Sequence, residues 1–239
     1  MALLDISGLT RNFGGLRAVS NLSFTVAAGE ILGLIGPNGS GKTTIFNLIT
    51  GFISHTAGDI RLNNASIVGL KPHAITRRGI ARTFQIVKPF PHLTVRENSA
   101  LAALVRLGDR AKAEIEAARV LKLVGLADKL EVPASDLTLS DQKRMEIARA
   151  LATGPKLLLL DEPLGGLNPR EMEDACGLIE QIHATGITII LVEHVMKAIM
   201  RISHRVVVIR QGEKIAEGLP AQVVNDPAVI SAYFGKRVA

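Results

Sequence analysis

The stretch Gly36-Pro37-Asn38-Gly39-Ser40-Gly41-Lys42-Thr43-Thr44 decides how this chain is read. It follows the apolar run Ile31 to Ile35 and precedes the helix-like segment Thr44 to Thr50. A G-x-x-x-x-G-K-[ST] pattern therefore stands in the strand-to-helix context that its chemistry requires. Glycines let successive N–H groups converge on one concavity, and a helix N-terminus adds partial positive charge, so a triphosphate finds donors without many cationic side chains. Lys42 is expected to reach the terminal phosphates and Thr43 to ligate Mg²⁺. A bare strand-to-helix turn would explain neither Lys42 nor the paired threonines.

Working outward, a phosphate site needs a carboxylate at the C-terminal end of a neighbouring parallel strand, and Leu157-Leu158-Leu159-Leu160-Asp161-Glu162 supplies one at the edge of an apolar run. Asp161 is expected to hold Mg²⁺ through water. Glu162, one position on, points differently and suits a base that orients and polarises an attacking water beside a γ-phosphate. Two acids at a strand end are weak evidence alone and strong evidence beside the phosphate loop. No N-K-x-D element for guanine occurs anywhere in the chain, which favours adenine and hence ATP.

The rest of the pattern is α/β. Leu3 to Leu9 and Val19 to Val26 read as strands joined by an Asn12-Phe13-Gly14-Gly15 turn. Leu157 to Leu160, Ile187 to Val192 and Arg205 to Ile209 are short apolar or β-branched runs separated by helical segments, the pattern of a buried parallel sheet with crossover helices. Thr94 to Leu130, rich in Ala, Leu, Glu and Arg, reads as a helical insertion. Gln211 to Gly235 reads as a short hairpin and small helices. Asn168, with Pro169 first and Glu171 third in the helix, predicts a capped helix running to about Ala184.

Composition bounds the function. With 239 residues and 47% apolar content, the chain has ample material for a core, and disorder is excluded. A net charge of +6 is spread over scattered basic residues, which reads first as a solvated surface and second as a response to phosphates or an anionic membrane face. The single cysteine, Cys176, excludes an internal disulfide and a cysteine zinc site. No apolar run approaches the length of a membrane span, and the expectation is a protein neither secreted nor membrane-spanning. Aromatics at 3% leave few platforms for stacking single-stranded nucleic acid, so no nucleic-acid partner is expected.

Further motifs carry a resemblance over nearly the whole chain: Ala81-Arg82-Thr83-Phe84-Gln85, Leu93-Thr94-Val95-Arg96-Glu97-Asn98, Met145-Glu146-Ile147-Ala148-Arg149-Ala150 and Gly166-Leu167-Asn168-Pro169. The chain resembles the ATP-binding subunits of ABC transporters, and among them those of bacterial branched-chain amino-acid uptake systems. That resemblance implies a single ABC ATPase domain over 1–239 with a P-loop fold. A RecA-like parallel-sheet core and N-terminal antiparallel β portion would occupy 1–90 and 155–239, and a helical subdomain about 91–154. It implies that Phe13 stacks on adenine, that Gln85 senses Mg²⁺ and water while coupling to a membrane partner, and that His194 contacts the γ-phosphate. Each has a bland competitor: an exposed turn aromatic, a polar residue after a strand, and a satisfied histidine at a strand end.

The resemblance also implies head-to-tail pairing of two ATPase subunits, identical or different. Each nucleotide would lie between one phosphate loop and the partner's signature, usually Leu-Ser-Gly-Gly-Gln. Here the signature stretch is Leu137-Thr138-Leu139-Ser140-Asp141-Gln142, a departure in which Ser140 replaces the second glycine. Thr138 with Asp141 would also serve simply to cap the following helix, to about Thr153. Implied partners are transmembrane permease subunits and, indirectly, a periplasmic substrate-binding protein, with the chain peripheral on the cytoplasmic face of the inner membrane. Urea or short amides, lipid or lipopolysaccharide export, and a non-transport ABC ATPase stay open as alternatives.

Overall fold

The computed structural model describes residues 2–85 and 88–234. Met1, Ile86, Val87 and residues 235–239, including the Gly235 end of the expected C-terminal stretch, lie outside the described residues. The chain divides into two compact units, residues 1–75 with 188–239, and residues 76–187. In chain order the elements begin with β1 (Ala2–Phe13), β2 (Leu16–Ala27), β3 (Ile31–Ile35), α1 (Lys42–Ile49), β4 (Ala57–Leu62) and β5 (Ala65–Ser66). Next come α2 (Pro72–Arg77), β6 (Ile80–Arg82), α3 (Val95–Leu107), α4 (Arg110–Leu123), α5 (Leu139–Ala152), β7 (Leu157–Asp161) and α6 (Pro169–Ala184). The chain ends with β8 (Thr188–Val192), α7 (Met196–Ile202), β9 (Arg205–Arg210), β10 (Glu213–Gly218), α8 (Pro220–Val223) and α9 (Pro227–Phe234).

In the first unit, an antiparallel sheet runs β2-β1-β4-β5. Its β2 alternates, with Leu22, Phe24 and Val26 buried between exposed neighbours, as a strand with one covered face must. The strands outrun their sequence signal. The first strand, expected to end at Leu9, absorbs a register shift between Ile6 and Leu9, where Gly8 has φ 61°, and continues to Phe13, so the turn shrinks to Gly14-Gly15. In the same unit β3 lies between β8 and β9 in parallel register, and β10 pairs antiparallel with β9 across a Gln211-Gly212 turn. Every residue of β3 and of β8 is buried, the mark of parallel strands covered on both faces. The hairpin expected from Gln211 therefore has β9 as its first arm.

The second unit pairs β6 with β7 in parallel, Arg82 opposite Leu159. Its helices α3, α4 and α5 pack on one another. Each start is capped: Thr94 forms a box with Glu97, Asp109 accepts from the Lys112 N–H, and Thr138 accepts from the Asp141 N–H. Asn168 accepts from the Arg170 and Glu171 N–H groups while the Glu171 carboxylate returns to the Asn168 N–H, and α6 ends at Ala184 as its sequence predicts. Such a cap contributes about 1 kcal/mol. The helical stretch expected at about 91–154 falls inside this unit, which also contains β6, β7 and α6. Residues 57–77, unassigned from sequence, carry β4, β5 and α2.

Candidate functional site

In the first unit the phosphate loop leaves β3 at Gly36 and closes onto α1. A Cβ at Gly36 would lie 2.1 Å from the Ile209 carbonyl oxygen, and one at Gly41 would lie 2.7 Å from that of Ala18. Both glycines have positive φ, 157° and 109°. Glycine is required here by space as well as by conformation. The carbonyl of Ser40 accepts from the Gly212 N–H at 2.8 Å, tying the loop to the β9–β10 turn. Gly41 offers α1 no side-chain cap, and the first backbone hydrogen bond of the helix, from Ile45 to the Gly41 carbonyl, leaves the amides of Lys42, Thr43 and Thr44 without a helical acceptor. This is the donor set an anion needs.

Lys42 is buried, and its Nζ donates to the carbonyls of Gly36 at 2.8 Å and Pro37 at 3.0 Å. The ammonium thus arches back over its own loop and holds a positive charge there. Asn38, Gly39 and Thr43 are exposed, Pro37, Gly41 and Thr44 half-buried, and Ser40 buried. His194 belongs to the same unit. Val192 of β8 is registered with Leu34 of β3, so His194 and Gly36 each lie two residues beyond that pair, at the same end of adjacent parallel strands. The imidazole-bearing residue is exposed, and its N–H donates to the buried Glu193 carboxylate at 3.1 Å. Phe13, at the end of β1, is 42% exposed, and the Arg11 guanidinium sits 4.5 Å from its ring centroid.

The second unit carries the acids. Asp161 closes the buried strand β7 and is itself buried. Its Oδ2 accepts from Arg82 Nη2 at 3.1 Å, and its N–H donates to Thr83 Oγ1 at 3.1 Å. Burial pulls the Arg82 pKa below the ordinary guanidinium value, and the Asp161 charge opposes that. Glu162 follows at φ 49°, a left-handed conformation costing a non-glycine residue about 1–3 kcal/mol. Its carbonyl accepts from Lys143 Nζ at 3.0 Å and from the Gly165 N–H at 3.2 Å, bonds that hold the backbone in place. Its Oε2 accepts from Gln85 Nε2 at 2.8 Å. The structure thus brings Gln85, Asp161 and Glu162 together at the ends of β6 and β7.

The signature stretch starts α5. The Thr138 hydroxyl donates to Asp141 Oδ2 at 2.9 Å, and the Asp141 carboxylate also accepts from Lys129 Nζ at 2.6 Å, which pushes the Lys129 pKa up. Gln142 Nε2 donates to the Leu137 carbonyl at 3.1 Å. Leu139 is 48% exposed, and Ser140 is half-buried within helical backbone, where φ is negative and a Cβ is tolerated. The capping role of Thr138 and Asp141 is present. Sequence reasoning missed Lys143 and the contact role of Arg82. An arginine at the end of the apolar run Ile80-Ala81 was the available signal, since a buried guanidinium needs a counter-charge. Among the described residues no group of three His, Cys, Asp or Glu forms a metal cluster, and no helix is long and apolar enough to cross a membrane.

Comparison with known proteins bears on this arrangement. The ABC transporter family model matches residues 19–165, and a model described as branched-chain amino acid ATP-binding cassette transporter matches residues 213–239. The chain is 42% identical to the high-affinity branched-chain amino acid transport ATP-binding protein BraF of Pseudomonas aeruginosa, over 98% of both proteins. It is 35% identical to the lipopolysaccharide export system ATP-binding protein LptB of Escherichia coli, over 99% of this chain and 98% of that protein. A nucleotide-free ATP-binding cassette from an ABC transporter superposes with a TM-score of 0.89 at 29% identity, covering 98% of this chain and 99% of the other. A dimeric post-hydrolysis cassette, MJ0796 bound to ADP and Pi, superposes at 0.81 with 25% identity over 91% of this chain and 98% of the other.

Proposed function

This chain belongs to the ABC transporter family of ATP-hydrolysing subunits, and from that premise we propose that it energises uptake of branched-chain or related amino acids across the bacterial inner membrane. What supports the substrate class is the 42% identity to BraF along 98% of both chains, against 35% to LptB. The match of the branched-chain model to residues 213–239 points the same way. Residues 1–239 act as one ABC ATPase domain in this reading, with about 91–154 as its helical subdomain.

The nucleotide is ATP, its phosphates held by the amides of Gly36 through Thr44 and by Lys42, which exchanges two loop carbonyls for phosphate oxygens. Phe13 offers an exposed ring face to adenine. Glu162 orients and polarises the attacking water, and Gln85, already bonded to that carboxylate, holds its direction. His194 contacts the γ-phosphate. The residue types suit Mg²⁺, a hard cation that takes oxygen donors and keeps several waters: the Thr43 hydroxyl, the Gln85 amide oxygen and, through water, the buried Asp161 carboxylate would hold it. When bound, Mg²⁺ neutralises phosphate charge.

A dimeric cassette among the similar structures supports pairing of two ATPase subunits, identical or different, docked on transmembrane permeases at the cytoplasmic face of the inner membrane. A periplasmic binding protein would act through those permeases. Thr138, Leu139, Ser140, Asp141 and Gln142 face the partner's nucleotide in this reading, and Ser140 slows that partner site. Copurification of the native complex tests the function: membrane subunits that reconstitute leucine uptake are expected, and a complex that moves only urea, amides or lipid would contradict the substrate class.

A further inference from the structure

Arg82 has no task in the reading above, yet its side chain is 6% exposed and pairs with the 2% exposed carboxylate of Asp161. It lies on β6, opposite Leu159 of the parallel strand β7, so the guanidinium reaches along the ladder to the residue two positions further on. Neighbouring bonds lace the same strand ends: Thr83 N–H donates to the Leu159 carbonyl at 2.9 Å, and Asp161 N–H to Thr83 Oγ1 at 3.1 Å. The guanidinium is itself held. Its Nε donates to the Thr83 carbonyl at 3.2 Å, and it stacks 4.7 Å from the centroid of Phe84.

A buried ion pair is weak evidence for stability, because well-packed apolar residues often serve a fold as well. A planar fork, however, fixes the direction of a carboxylate in a way that a point charge does not. Carboxylates that serve a metal are commonly hydrogen-bonded from behind, and losing that partner weakens metal affinity about 10–100-fold. We propose that Arg82 is a positioning residue that holds Asp161 in the orientation receiving the hydration shell of Mg²⁺, and thereby sets divalent-cation affinity once nucleotide is bound. The inference rests on the reading of Asp161 as the metal-orienting acid.

The test uses the full chain loaded with ADP and titrated with Mn²⁺, the free ion being followed by electron paramagnetic resonance. R82Q raises the Mn²⁺ half-saturation about tenfold while metal-free ADP affinity stays within about twofold. R82K, which keeps the charge and loses the fork, raises it about threefold. Wild-type or tighter Mn²⁺ binding by R82Q overturns the proposal, as does an equal loss of metal-free ADP affinity, which would mark a structural role. If R82Q fails to fold, R82K decides, and a wild-type half-saturation there overturns the proposal. D161N separates the two readings. Unchanged Mn²⁺ binding in D161N removes the role of Asp161 and the inference with it; weakened binding in D161N with unchanged binding in R82Q removes the inference alone.

Discussion

The phosphate loop and the acid-bearing end of β7 reach their geometry by opposite means. The loop is main-chain architecture: glycines at Gly36 and Gly41 let the backbone pass within reach of the Ile209 and Ala18 carbonyls, and helix amides do the binding. The acids are side-chain architecture, in which Asp161 and Glu162 are set by Arg82, Thr83, Gln85 and Lys143 from two other elements and the segment that follows β6. Binding is therefore distributed over many amides, each replaceable in part. Chemistry is concentrated on one strained residue. Substitutions in the two regions should separate affinity from turnover.

The largest separation is expected at Glu162. Glu162→Gln keeps the shape and the left-handed turn, so ATP binding stays within about twofold while phosphate release falls about 10²–10⁴-fold. The closed pair then accumulates in ATP, visible by size-exclusion chromatography. Steady turnover near wild type would break the comparison. Lys42→Ala acts on the other side. It removes the ammonium from the loop and lowers ATP affinity about 10-fold or more in an equilibrium titration, an electrostatic loss on the order of 1–3 kcal/mol.

How much of each region the sequence discloses follows from the same contrast. Local chemistry reads well: the spacing from Gly36 to Thr43 and the Asn168-Pro169-Glu171 cap both reappear, because glycine conformations and helix caps are set within a few residues. Parallel strands also show, since residues buried on both faces make unbroken apolar runs such as Ile31 to Ile35. What stays hidden is long-range. The Arg82–Asp161 pair joins residues far apart in sequence, and nothing local marks which carboxylate a buried arginine will meet. Lys143 looks like an ordinary helical lysine until its Nζ is found on the Glu162 carbonyl. The extent of β1 also stays hidden, because its apolar signal stops at Leu9 while pairing with β2 carries the strand to Phe13.

Two smaller effects sharpen the comparison. Asn168→Ala removes the α6 cap and lowers stability by about 1 kcal/mol in chemical denaturation. ATP affinity stays unchanged, because the loop does not depend on that helix start. An affinity loss would show that the two regions are not separable. Ser140→Gly, measured in the assembled transporter, raises ATP turnover about twofold by widening the backbone geometry open to the signature. Unchanged ATPase and uptake rates would discard the unequal-site reading.

Main-chain amides grip the polyphosphate while a carboxylate at the exit of β7 readies water. A crystal structure of the chain with Mg²⁺ and a slowly hydrolysed ATP analogue tests it most directly. Expected are β- and γ-phosphate oxygens within hydrogen-bonding distance of the amides of residues 39–44 and the Glu162 carboxylate facing a water in line with the γ-phosphorus. Phosphates bound elsewhere, or Glu162 directed away from that water, would contradict it.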